Sequence, residues 1–228
     1  MKELFSIFLI YFTISNCIAQ SKYPTRDSIH IFWQPELIIT VQDYKGASSE
    51  HVAELMEKHQ FSASASVGIW SVLDYSKNKR ERSRQYEKAY FAPAFDRTTS
   101  FVKTDDSIQV KMQNTFLDIC EICARWARKE LKMVQDSMKA PGALTIMYMT
   151  IKDRTEQMKN GMFRAYFKDV FIDRKPNAFV EWQNLIRKRL DTTKHWATTP
   201  EECYRLMTGK PIEKGYVMAP MVVGSLNN

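Results

Sequence analysis

The stretch that decides the fold is DDSIQVKMQNTFLDICEICARWARKEL, from Asp105 to Leu131. Asp105, Asp106 and Ser107 offer N-capping oxygens and negative charge where a helix would start. After them Ile108, Met112, Phe116, Ile119, Cys123, Ala127 and Val134 recur at spacings of three, four and seven, which predicts one continuous buried helical stripe. Lys139-Ala140-Pro141-Gly142 ends it. A second helical pattern follows from about Ala143 to Phe171. A third runs through Trp182, Ile186 and Leu190, with Pro176 near its start.

Upstream of this helix the patterning changes from helical to alternating. Phe61–Trp70 and Arg84–Phe95 read as strands, the second as an edge strand because of Pro93. The basic run from Lys77 to Arg84 between them reads as a solvated hairpin loop. His30–Gly46 predicts a short strand, a turn at Pro35 and a second short element, and Ser48–His59 a short helix. Downstream, Pro200–Met207 predicts a helix capped by Thr198 or Thr199, and the apolar stretch from Gly215 reads as extended.

The N-terminus bears on compartment. Lys2, the apolar run Leu4–Ile14 and the small residues before Gln20 match a secretory signal peptide cleaved after Ala19. A competing reading makes Cys17 a lipid-anchored cysteine. The expected division is a signal peptide over 1–19, an α+β domain over 20–194, and a C-terminal helix and extended tail over 195–228. The expected locale is secreted or periplasmic, with no transmembrane span after cleavage.

The chain has 228 residues, and its net charge of +7 is spread along the helices apart from Lys77–Arg84. With export expected and no recognition motif, a nucleic-acid partner is excluded. Of the four cysteines, Cys120, Cys123 and Cys203 lie beyond the signal segment, an odd number that cannot complete a disulfide framework. Three readings stand for them: buried structural thiols, a local bridge or one to Cys203, and metal or redox work. Zinc would need two more ligands beside Cys120 and Cys123. His30, His51, His59 and His195 show no ligand spacing. Glu121 and Asp169 read as surface charges, Asp118 as a partner for nearby backbone or an arginine, and Trp126, Trp182 and Trp196 as core anchors.

The order of these pieces resembles a family of secreted bacterial proteins of unknown function, predicted to be zinc-dependent peptidases. Trp33 stands for the family's first Trp, and Ile39-Thr40-Val41-Gln42-Asp43-Tyr44-Lys45-Gly46 for its Leu-Thr-Trp-x-Asp-Phe-Lys-Gly-like segment. Phe101-Val102 matches the Trp-Val before the metal helix, and Leu117-Asp118-Ile119 with Ala124-Arg125 the residues after its His-Glu-x-x-His motif. Tyr166 to Ile172, followed by Trp182, resembles a later Tyr-Asp-x-Glu-Thr-x-His segment and its Trp. The resemblance spans Ile31 to Leu190 and implies a zincin-like fold, a small antiparallel sheet from the N-terminal half packed on a three-helix bundle.

Within that resemblance, Met112 and Phe116 fall on the two ligand positions, Gln113 on the general base, and Ile172 on the later His; Asp118 matches a group that would orient a ligand, and Asp169 lies in the later segment. A thioether is a poor zinc ligand, Phe is none, and Gln cannot take a proton. The expectation is a cavity refilled by Met112, Phe116 and Ile172, each contributing ~1.5–3 kcal/mol on burial. The chain then reads as a pseudoenzyme without catalytic residues, metal or cofactor, binding a polypeptide or envelope component in a groove that Thr115 lines. The alternatives are a hydrolase with a relocated site and a structural envelope protein.

Overall fold

A computed structural model describes residues 23–220. The expected signal segment 1–19 and Cys17 therefore lie outside the described residues. The elements run β1 (His30–Phe32), α1 (Glu50–Lys58), β2 (Ala63–Ser76), β3 (Lys88–Val102), α2 (Ser107–Met138), α3 (Ala143–Phe167), α4 (Ala178–Thr192), α5 (Pro200–Thr208) and β4 (Tyr216–Met218). They make a mixed α+β fold with one antiparallel sheet in the order β1-β3-β2-β4.

The long β2–β3 hairpin carries this sheet, paired from Asp74↔Lys88 to Ala63↔Val102 with a register shift between Ser64 and Ser66. Its loop holds the basic run from Lys77 to Arg84, mostly exposed as expected, but Arg82 folds back. Its Nε donates to Ser76 O at 2.9 Å and its guanidinium lies 4.0 Å over the Tyr75 ring. β3 is central, which corrects the edge-strand expectation drawn from Pro93. β1 pairs with β3 only from Asp96 to Ala94, and Pro93 O still accepts from Trp33 N at 2.9 Å. Pro93 thus sits where pairing with β1 stops, and its missing N–H leaves no partner stranded.

Residues 39–46 clamp the far end of β3. Lys45 N donates to Arg97 O and Gly46 N to Ser100 O, both at 2.8 Å. A Cβ on Gly46 would stand 2.5 Å from Thr98 O, so only glycine permits this approach. The fourth strand comes from the tail rather than the N-terminal half: Tyr216–Met218 pairs with Asp74–Ser76 of β2. The stretch from Met221 lies outside the described residues.

Helix α2 is the spine. Asp106 caps it by accepting from Ile108 N and Gln109 N at 3.0 Å, and Lys139 closes it in a left-handed conformation. Its small residues Cys120, Cys123, Ala124 and Ala127 let it approach Ile69, Leu73 and Phe91 of the sheet closely. Val110 and Leu117 join Ile31, Trp33, Ile39, Tyr44 and Phe95 in a second cluster. Helices α3 and α4 both pack on α2. One expectation fails at the start of the stripe: Ile108 is 63% exposed and Met112 only half-buried, so full burial begins at Phe116.

Glu121 also departs from expectation, since it is wholly buried rather than a surface charge. Its Oε1 accepts from Arg125 Nε at 2.7 Å and Thr198 N at 2.9 Å, and its Oε2 from Thr198 Oγ1 at 2.6 Å. Arg128 lies 3.5 Å from Oε2 and donates to Phe91 O, Trp196 O and Thr198 Oγ1. This network ties α2 to β3 and to the connection leading into α5. There Thr199 and Glu202 form a reciprocal capping box, with Pro200 at the first helical position. Inside α5, Arg205 grips Asp74 of β2 through bonds of 2.7 and 2.5 Å, both side chains being fully buried.

Candidate functional site

The first two turns of α2, the residues preceding β2 and the entry to α4 enclose an open cleft of about 510 Å³. Met112 lines it together with Phe61, Val170, Phe171 and Phe179, and the exposed Ile108 and Val180 form part of its walls. Arg174 and Lys175 stand on it but are engaged: Arg174 donates to Gln60 Oε1 and His59 O, and Lys175 pairs with Asp169 at 2.5 Å. The site is therefore an apolar concavity with a polar rim.

The neighbouring positions are spent on structure. Gln113 is buried, and its Oε1 accepts from Ala65 N at 3.2 Å. The β2–β3 register shifts between Ser64 and Ser66, so the Ala65 N–H faces no ladder partner and the side-chain amide supplies one. Phe116 is enclosed by rings: Phe163 at 4.8 Å, Tyr166 at 4.9 Å and Phe171 at 6.2 Å between centroids. The Tyr166 hydroxyl donates to Met112 O at 2.7 Å, and burial pushes its pKa up.

Ile172 does not fill a cavity beside Met112 and Phe116 as expected. It is 53% exposed, and Phe171 takes the inward place. The cause is a π turn over Lys168–Ile172 at the end of α3, which accommodates an extra residue and shifts the inward phase by one position. Asp169, on the same turn, accepts from Lys175 and from Trp182 Nε1 at 3.0 Å. Those bonds hold its carboxyl below the usual range.

Thr115, expected in the groove with Met112, faces elsewhere. It is 4% exposed and lines a different flank of α2, where depressions of about 600 and 360 Å³ share Thr115, Asp118 and Gln183. On that flank Asp118 Oδ1 accepts from Trp33 Nε1 at 2.8 Å, so its partner is an indole rather than backbone or an arginine. Burial raises the Asp118 pKa, with the Trp33 bond opposing and Glu121 adding. The folded chain thus holds this proton more tightly than the unfolded chain. Stability from this group is complete below the ordinary aspartate pKa of about 4 and is lost as pH rises through the folded value. Asp118→Asn keeps an acceptor for Trp33 without the charge. Its melting temperature relative to wild type is expected to be higher at pH 7 than at pH 3, and a pH-independent difference would refute the assignment.

Cys120, Cys123 and Cys203 are buried free thiols. Burial pushes Cys123 up to about 12 and raises the other two as well. Cys203 sits in a separate cluster with Phe32, Ala92 and Ala94, where its sulfur accepts from Gln34 Nε2 at 3.3 Å. None has the accessible thiolate that redox or metal chemistry requires.

Zinc, which the expected resemblance would imply at these positions, does not fit these residues. The Gln113 oxygen is committed to Ala65, Phe116 is in the aromatic core, and Ile172 points outward. Among the described residues no three His, Cys, Asp or Glu side chains converge as a metal-binding group. No protein-family model, curated protein or solved structure matches the chain. The walls Phe61 and Phe179 carried no sequence signal; the nearest hint was the apolar Ile108 preceding Met112 on one helical face.

Proposed function

We propose that this chain is an exported, non-catalytic protein of zincin-like ancestry that binds a polypeptide in the cleft beside Met112. The observation that carries the proposal is the different fate of three adjacent positions: Gln113 and Phe116 are absorbed into the core, whereas Met112 still opens onto an apolar concavity. Met is a deformable, polarizable side chain suited to varied apolar partners. A purely structural envelope role calls for a filled surface at this place, so the concavity favours binding. Export rests on the signal-like residues 1–19, with a lipid at Cys17 as the alternative. No helix among the described residues is long and apolar enough to cross a membrane.

Fluorescence anisotropy with labelled β-casein, an unfolded and apolar-rich polypeptide, tests the reading on the mature protein. Val180→Glu places a charge on the cleft wall at an exposed position that the core does not need. Binding by wild type and at least tenfold weaker binding by the variant are expected. Equal affinity would refute the cleft as the binding surface.

A further inference from the structure

We propose that a second cavity, between the β2–β3 hairpin and the first turns of α3, binds an amphiphilic amine, an apolar body carrying a protonated amino group. This cavity has a volume of about 560 Å³, within the range of small-molecule sites. Leu73, Tyr75, Ile146, Tyr148 and Met149 give it apolar walls. Ile146 on those walls is exposed.

Its chemistry is set by Glu87, which is only 6% exposed. Oε1 accepts from Thr145 Oγ1 at 3.1 Å, while Oε2 is buried with no hydrogen-bond partner among the described residues. An unpaired buried carboxylate oxygen is costly, and such orphans in native proteins call for an explanation such as a missing ligand. Arg82, the cation on the same walls, forms no ion pair with Glu87 among the described residues; its Nε donates to Ser76 O and its guanidinium lies over Tyr75. Gly142, at φ +92°, leaves room beside the carboxylate: a Cβ there would come 4.0 Å from Glu87 Oε1. Once the Glu87 carboxylate turns Oε2 toward the cavity, an ammonium group brings it three donors and a positive charge, a charge-assisted bond about twice as strong as a neutral one. Its apolar body would lie along Ile146, Tyr148 and Met149.

Isothermal titration calorimetry on the mature chain with n-octylamine, 1-octanol and octanoate at pH 7 separates the contributions of head group and tail. Octylamine is expected to bind once per chain, 1-octanol at least tenfold more weakly, and octanoate not at all. Glu87→Gln is expected to bring octylamine down to the level of octanol and to leave octanol unchanged, which also reports that the cavity is intact. The wild-type comparison of amine with alcohol stands without the variant. Failure of octylamine to bind overturns the proposal, as does equal affinity for amine and alcohol.

Discussion

Glu121→Ala is expected to destabilise the protein by about 3–5 kcal/mol, the cost of breaking a buried ion pair by removing one partner. The carboxylate is wholly buried and meets Arg125, Arg128 and both the N–H and hydroxyl of Thr198. Without it, Arg125 keeps acceptors at Leu190 O and Thr193 Oγ1, but its Nε and the Thr198 N–H lose theirs inside the protein. The damage spreads to three elements, because this carboxylate joins α2 to the connection before α5 and, through Arg128, to β3. Urea denaturation followed by circular dichroism measures it as a lowered midpoint at unchanged slope. A loss under about 1 kcal/mol would mean that the charges are solvated and that Glu121 is not the tie described.

Phe116→Ala is expected to cost about 3–5 kcal/mol as well, as for other large aromatic truncations in a core. Phe116 touches rings from both α3 and the π turn, so its removal leaves a hole bounded by Phe163, Tyr166 and Phe171. These come from one helix and its wide final turn, and α2 cannot collapse toward them without breaking its contact with the sheet. Phe116→His is the sharper variant. Its imidazole would be buried among aromatic rings with no second ligand, so it too is expected to destabilise, and added zinc is expected not to restore stability. Restoration by zinc would show that a ligand set survives around this position.

Much of the fold was legible because local chemistry and tertiary structure agree. Asp106 caps α2 and Thr199 caps α5, both at oxygens that the sequence places ahead of helical patterns. The misreadings came from places where a local rule met a nonlocal fact. Pro93 suggested an edge, yet it occupies a central strand at the point where the ladder with β1 ends, so its missing N–H interrupts no pairing. Ile172 was aligned with an inward position by counting, and the π turn rotates the count by one residue. Glu121 resembled a surface charge because charge normally implies solvent. The clue against this was Arg125 four residues on, on the same helical face, and such a pair is neutral enough to bury when backbone donors join it. The candidate cleft was half visible: Met112 could be placed on one face of α2, but Phe61 and Phe179 reach it only through the fold.

The most direct test of the central claim is the zinc content of the purified protein, measured by inductively coupled plasma mass spectrometry after dialysis against zinc-free buffer. Met112, Gln113, Phe116 and Ile172 offer no ligand set, so the expected result is far less than one zinc per chain. Stoichiometric zinc retained through dialysis would contradict the account.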